Sequence, residues 1–498
     1  QISISLILLL SLLVYLIIFL LIFLGKGKII NRHDRFVWLL PLLLLIAFLA
    51  MGERINKPEL YNSFDEEISC ELKGEIAKVA ENKNIISLYL KDSIISIGDG
   101  KEYLCEKIII KEKHSKSISS KSIKNDKSHI SNTALSNGKP TASDHERQEN
   151  AYRVGNKIYA TGKLKKFSRA RNPGNFNEEL YYQIEEIFFY LDAEQIIIAD
   201  SNYSPYHYSL YKIKKRLGRV YEQLLSSKEA GTVTAMLLGD KVLLDEETKR
   251  LYQENGVSHI LAISGLHVSL IAMFFYRLLR WLKCPVLPAS MLTTLFIYSY
   301  GVMTDFSVST NRAIVMMVIS LLAPITGRCY DMLSAICLSA LIILMQNPMQ
   351  ILSAGFLLSY GAVLGIAVVY PALKLLFDKD ERAKELQAKE ARARGKKCAS
   401  IAKLLLEIKE GISKSFLISL STQLTTIPVV LFFFYQIPLY SIIINLIILP
   451  LVTILILLAF LGAIAGLVYL PAGVFVIGGA NYILKLYELI CRLGSVLP

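Results

Sequence analysis

The chain alternates between long apolar runs and polar stretches, and the apolar runs are too long for the core of a soluble domain. Residues 2–24, 36–51, 257–275, 352–373 and 439–470 contain no Lys, Arg, Asp or Glu. A helix rises about 1.5 Å per residue, so about 20 apolar residues cross the hydrocarbon layer. These runs predict transmembrane helices. Further spans are predicted at 286–303, 313–325, 332–346, 416–434 and 473–493, and the third run extends to 281. That makes about ten spans in all.

The first two runs pair as an N-terminal transmembrane hairpin over residues 1–51. Its short linker carries Lys26, Lys28, Arg32, His33 and Arg35, which the bias of basic loops toward the cytoplasm places inside. The N-terminus and the chain after residue 51 then start outside. The third span ends in Arg277, Arg280 and Lys283 and so runs inward. A charged stretch at 374–414, with Arg382, Lys384, Lys389, Arg392, Arg394, Lys396 and Lys397, falls in the cytoplasm as a solvated helix. An even span count returns the C-terminus to the outside.

Between hairpin and bundle the period changes. Segments 68–79, 84–90, 102–111, 157–167 and 184–199 are rich in Ile, Tyr, Phe and Val with partial alternation, as strands are. Several short strands within 52–205 predict a small barrel such as an OB-fold. Residues 113–150 are rich in Lys, Ser and Asn and predict a disordered insertion. Residues 208–225 mix basic and apolar positions, as an interfacial helix would, and 206–498 read as a helical membrane domain. The expected fold is a polytopic α-helical membrane protein with an extracytoplasmic OB-like β domain after an N-terminal hairpin.

Composition agrees: 53% hydrophobic and 19% charged residues, with mean hydropathy +0.43. The net charge of +13 selects no partner, because basic cytoplasmic loops and a polyanionic substrate both account for it. Seven cysteines show no CxxC and no metal-ligand spacing, so no metal and no cofactor are expected. Cys70 and Cys105 share the outer segment, where a disulfide is an open possibility. Cys284, Cys329, Cys337, Cys398 and Cys491 lie in or beside apolar helices, as small core residues do. The chain opens at Gln1 with no initiator Met and no basic n-region, so its true start is expected upstream.

The stretch from Gly256 to His267 (GVSHILAISGLH) brings His259, Ser264, Gly265 and His267 into an apolar span. Unsatisfied polar groups are costly there, so these residues either line a polar pathway or bond neighbouring helices, with Gly265 allowing close approach. Ser264-Gly265 also resembles the GxSG serine of intramembrane rhomboid proteases. Those need a His on a later span, and none follows His267. No catalytic residue is expected.

Taken together, the motifs resemble the ComEC-type family of DNA-internalization competence proteins over roughly residues 50–490. The resemblance rests on Leu238-Gly239-Asp240-Lys241, on HILAISGLH at 259–267, and on Asn311-Arg312-Ala313 followed by Met316. It extends to Asn347-Pro348 followed by Gly355-Phe356-Leu357-Leu358-Ser359, and to Gln423 with Pro428 and Asn445 with Pro450. In the outer segment, Arg171–Asn177 (RNPGNFN) is similar to the family's RNPGxFD loop, with Asn177 where Asp is usual.

The resemblance implies import of single-stranded DNA across the cytoplasmic membrane of a bacterium during natural transformation. It implies a DNA receptor on the outer side and a cytoplasmic helicase or translocase, since no G-x-x-x-x-G-K-[ST] loop is present to supply energy. Many members end in a metallo-β-lactamase-like domain. This chain stops after its last span with no His beyond His267, so a separate nuclease is expected wherever strand degradation is required. Besides DNA, membrane lipids are the expected partners.

Pathway candidates are Asp240, Lys241, His259, Ser264, Gly265, His267, Arg312, Asn347, Ser359, Gln423 and Asn445. Arg312 either holds phosphate in its guanidinium fork or snorkels at the interface. Asp240 and Lys241 form an ion pair, or Lys241 meets phosphate while Asp240 orients it. Asn347-Pro348, Asn445 and Pro450 are expected to mark broken helices. On the barrel, Lys165, Lys166, Arg169, Arg171 and Phe176, with Lys163, Tyr159, Phe167 and Tyr181, have the make-up of a single-strand binding surface. The rival readings are a secondary transporter for a small solute, for which no convincing internal repeat is found, and a membrane scaffold.

Overall fold

The computed structural model describes residues 58–62, 64, 67–82, 85–98, 101–113, 152–172, 174–377, 399–436 and 440–496. The expected hairpin at 1–51, nearly all of the insertion at 113–150 and the middle of the charged stretch at 374–414 lie outside the described residues. The chain divides into two compact units, Ile55–Ile213 and a second containing Lys214–Pro498.

In the first unit, strands β1 (Ile68–Asn82), β2 (Ile85–Ile97), β3 (Lys101–Lys113), β4 (Lys157–Lys166) and β5 (Phe189–Asp200) close into a barrel in the order β1-β2-β3-β5-β4. Every pairing is antiparallel except β3 with β5. Alternation decides what lies inside. On β4, Ile158, Ala160 and Leu164 are buried, while Lys157, Tyr159, Thr161, Lys163 and Lys165 face outward. They meet Leu72, Ile76, Leu88, Leu90, Ile95, Ile108, Ile110, Phe189 and Leu191 in one core. Gly162 is required by a close approach: a Cβ there would lie 2.2 Å from the Asp192 carbonyl oxygen, beside a register shift.

Helix α1 (Glu178–Ile184) links β4 to β5, and Asn177 caps it by accepting from the Leu180 N–H at 3.1 Å. Asn caps as well as Asp, so the substitution in this loop leaves its local structural role intact. The disulfide considered for Cys70 and Cys105 does not form. Both are free, buried thiols, and burial pushes each up to about 11.

Helix α2 (Pro205–Leu224) begins in the first unit and continues into the second. There follow α3 (Ser227–Leu238), α4 (Glu246–Glu254), α5 (Gly265–Trp281), α6 (Val286–Met303), α7 (Val308–Leu322) and α8 (Met332–Gln346). Then come α9 (Ala354–Leu364), a π-helical turn (Gly365–Val369), α10 (Tyr370–Phe377), α11 (Ala399–Phe434), α12 (Ser441–Val468) and α13 (Leu470–Val496).

Among the described residues, five helices are long and apolar enough to span a membrane: Val286–Met303, Ala354–Leu375, Gly411–Phe434, Ser441–Val468 and Leu470–Gly494. The apolar helices α7 and α8 are shorter. The expected span at 257–281 is not one helix. A 3-10 turn at Ser258–Leu261 and extended residues precede α5, whose 17 residues rise about 25 Å. Asn445 and Pro450 do not break their helix either, because α12 runs through both. Membrane helices tolerate an internal Pro when neighbouring groups take up the freed carbonyl. Asn347 does mark a break: it ends α8 and caps a 3-10 turn at Pro348–Leu352.

Small residues set the helix spacings. A Cβ on Gly365 would lie 2.6 Å from the Ser421 carbonyl, which puts α11 directly against the π-helical turn. Gly473 comes equally close to Gly466 between α13 and α12. In lipid, such contacts supply the dispersion that holds helices together.

Candidate functional site

Residues far apart in sequence meet at the N-terminal end of α5. Ser264 caps the helix, and its backbone N–H donates to His267 Nδ1 at 3.0 Å. His267 is 1% exposed and thus serves as the third-position acceptor of a capping box. His259 lies on the preceding 3-10 turn, exposed, as an electrostatic neighbour of His267. The turn after α3 is adjacent, since Gly239 sits in the left-handed region at φ +69° against Ile263. The Asp240 carboxylate accepts from the Val242 N–H at 3.0 Å and so shapes the turn. No ion pair joins it to Lys241 among the described residues; Asp240 is used locally.

Arg312, in the second turn of α7, projects onto this end of α5. Its Nη2 would stand 2.9 Å from a Cβ at Gly265, which explains the glycine. Arg312 is 7% exposed, so it does not snorkel at a lipid interface. Its Nε donates to Ser359 Oγ at 2.8 Å, and Ser359 Oγ donates to Ser309 Oγ at 3.2 Å. Its Nη1 approaches Met316 Sδ at 3.7 Å, and its guanidinium carbon lies 5.8 Å from the centre of the Tyr360 ring. Tyr360 in turn shares a hydrogen bond of 3.0 Å with Ser339. Sequence reasoning missed Ser309, Ser339 and Tyr360. The i, i+1 spacing of Ser359 and Tyr360 was visible, but their common partner was not.

The remaining candidates lie elsewhere. Asn347 Oδ1 accepts from the Met349 N–H at 2.9 Å in the break after α8. Gln423 donates to Ser441, tying α11 to α12. One helical turn further along α12, Asn445 Oδ1 is buried with no hydrogen-bond partner among the described residues.

On the barrel, the expected basic surface is largely occupied by carboxylates. Lys165 pairs with Glu67 at 2.7 Å and Asp192 at 2.8 Å, which pushes its ammonium up and holds the Glu67 carboxyl down. Arg169 pairs with Glu179 at 2.6 Å, and Lys166 bonds the Phe64 carbonyl. Phe167 is no stacking platform: it is 5% exposed and stacks on Tyr182 at 4.0 Å. Tyr159 bonds Glu71. Arg171 is exposed, and so is Phe176, whose ring packs on Tyr181 at 5.4 Å.

The model of the family described as competence protein matches residues 236–496, just over half of the chain. ComE operon protein 3 of Bacillus subtilis is 28% identical over 313 residues, a match covering 62% of this chain and 35% of that protein. Recombination protein 2 of Haemophilus influenzae is 31% identical over 157 residues, covering 30% of this chain and 20% of the relative. Competence protein ComA of Neisseria gonorrhoeae is 26% identical over 193 residues, covering 35% of this chain and 25% of the relative. The matches thus span about a third of these relatives' length or less. No solved structure matches the chain.

Proposed function

The chain belongs to the competence protein family, and on that premise we propose that it forms the membrane passage by which single-stranded DNA enters the cytoplasm during natural transformation. The observation that carries this reading is the convergence at Arg312. Gly265, Arg312 and Ser359 come from three separate motifs and meet inside an apolar bundle, around a cation with no carboxylate beside it among the described residues. A scaffold would not need that charge. A polyanion's path would.

The protein then resides in the cell membrane with about ten spans, the hairpin at 1–51 included, and with the barrel outside. The barrel's strand order, closed and with only β3–β5 parallel, supports an OB-fold reading. Among the barrel's candidates, Arg171 and Phe176 keep the exposure that strand binding needs. The role is that of a channel rather than an enzyme, working with an outer DNA receptor and a cytoplasmic helicase or translocase.

The test is import of labelled DNA in cells lacking the gene, restored with wild type or Arg312→Gln. Loss of cytoplasmic label with surface-bound DNA retained, rescued by wild type and not by the variant, is expected. Unchanged import in the deletion strain, under conditions where the parent imports DNA, would sink the reading and reopen the small-solute transporter.

A further inference from the structure

A guanidinium inside a helical bundle ordinarily has a carboxylate partner, because an unpaired buried charge is strongly disfavoured. Arg312 departs from that rule. Its contacts are a hydroxyl, a thioether and a ring face, and its electrostatic neighbours are the phenols of Tyr360 and Tyr330. No carboxylate is among them in the described residues.

Nη2 has no acceptor among the described residues, and it faces Gly265, the first residue of the 17-residue helix α5. The first N–H groups of a helix lack intrahelical acceptors, and its dipole is positive at that end. Two positive features therefore meet at one spot, one a buried side chain and the other a helix terminus. They repel each other unless an anion joins them.

Resting on the import reading, we propose that Arg312 Nη2 and the first turn of α5 bind one phosphodiester group of the passing strand. Ser359 holds the guanidinium through Nε and the Met316 sulfur lies against Nη1, which leaves Nη2 to donate. Gly265, having no Cβ, lets Nη2 come directly against the helix end. Phosphate oxygens suit this donor set, because a guanidinium nitrogen and backbone N–H groups can each take a different oxygen.

The proposal separates a binding role from a structural one. An arginine that merely knits α7 to α9 stabilises the protein in the absence of any ligand. An anion site is instead uncompensated when empty, so removing its charge does not lower stability.

The full chain, purified in a maltoside detergent, is melted alone, with a thymidine oligonucleotide of ordinary phosphodiester linkages, and with one of uncharged methylphosphonate linkages. The ordinary oligonucleotide is expected to raise Tm and the uncharged one not. Arg312→Gln and Arg312→Met lose the shift while melting no lower than wild type without DNA. Ser359→Ala needs about tenfold more oligonucleotide for the same shift. Gly265→Ala, which keeps the charge but puts a Cβ on Nη2, also loses it.

Equal protection by the uncharged oligonucleotide overturns the site, as does an undiminished shift in Arg312→Gln. Arg312 variants that melt well below wild type, in a protein that DNA does not protect, overturn it too. If DNA gives no protection while gene deletion still abolishes import, the phosphate site falls and the import role stands. Arg312-dependent protection, with import intact in the deletion strain, gives the reverse.

Discussion

His267 and Arg312 are both polar side chains buried in an apolar bundle, yet their hydrogen bonds set them apart. His267 is satisfied locally, since its Nδ1 accepts the Ser264 N–H. Substituting Ala strands that buried donor, and the expected loss is about 1–3 kcal/mol of stability, read as a lower Tm in detergent. Gln is favoured at the third position of a capping box, so His267→Gln should recover most of it. If the Gln variant melts like wild type but DNA import stays lost, the imidazole does more than cap. At Asn177 the same logic applies on the barrel. Asn177→Asp is expected to leave the unit's melting nearly unchanged, whereas Asn177→Ala costs about 1 kcal/mol. An equal loss in both would show that the amide, not the cap acceptor, matters. These residues stood out in the sequence because polar groups are rare in apolar runs. Their bonding partners, up to 50 positions apart in the case of Ser359 and Ser309, did not.

Glycines on one helix can look alike in sequence and differ sharply in what they allow. Gly361 and Gly365 both face α11. A Cβ on Gly361 would meet the Thr425 carbonyl at an ordinary 3.5 Å, whereas one on Gly365 would lie 2.6 Å from the Ser421 carbonyl and 2.7 Å from Thr425 Oγ1. Gly365→Ala therefore must push α11 away, at about 1–3 kcal/mol, while Gly361→Ala is expected to be nearly neutral. The yield and melting of folded protein in detergent would separate them, and equal effects would mean that the two helices are less closely packed. Gly365 also opens the π-helical turn, a local widening often found at functional positions. Most elements were legible from their periods: α6 and α8 fall where the apolar runs end, and β4 follows its alternation. The break before α5 was not, because an apolar run has the same composition whether it is helical or extended.

The barrel depends on burial that titration can probe. Cys70 and Cys105 are thiols held protonated by the barrel interior, each pushed up from an ordinary value near 9 to about 11. Folding stability from this source is complete below pH 9, and it is lost as pH rises from about 9 to 11, where only the unfolded thiols ionise. The barrel's melting temperature should fall across that window, and less so in a Cys70→Ser, Cys105→Ser double variant. Native-state labelling by a thiol reagent should be slow near pH 8 and indifferent to reductant; rapid labelling would mean the thiols are not enclosed. Part of the basic surface expected on the barrel is paired with carboxylates. Lysines on a small barrel find carboxylates close by, as Lys165 finds Asp192 on β5 and Glu67 just before β1.

The sequence by itself determined the class of molecule. Runs of about twenty residues without charge suit a crossing of lipid, and alternating Ile, Tyr and Val suit strands with one buried face. It also supplied the motifs that place the chain in its family. Only the tertiary structure decided what the polar residues touch. Whether Arg312 faces lipid or protein depends on helix rotation and packing, and its lack of a carboxylate partner is a fact about three-dimensional neighbours. So is the neutralisation of Lys165 and Arg169. Charge pairing acts over a few ångströms of space, and the sequence holds no record of those distances.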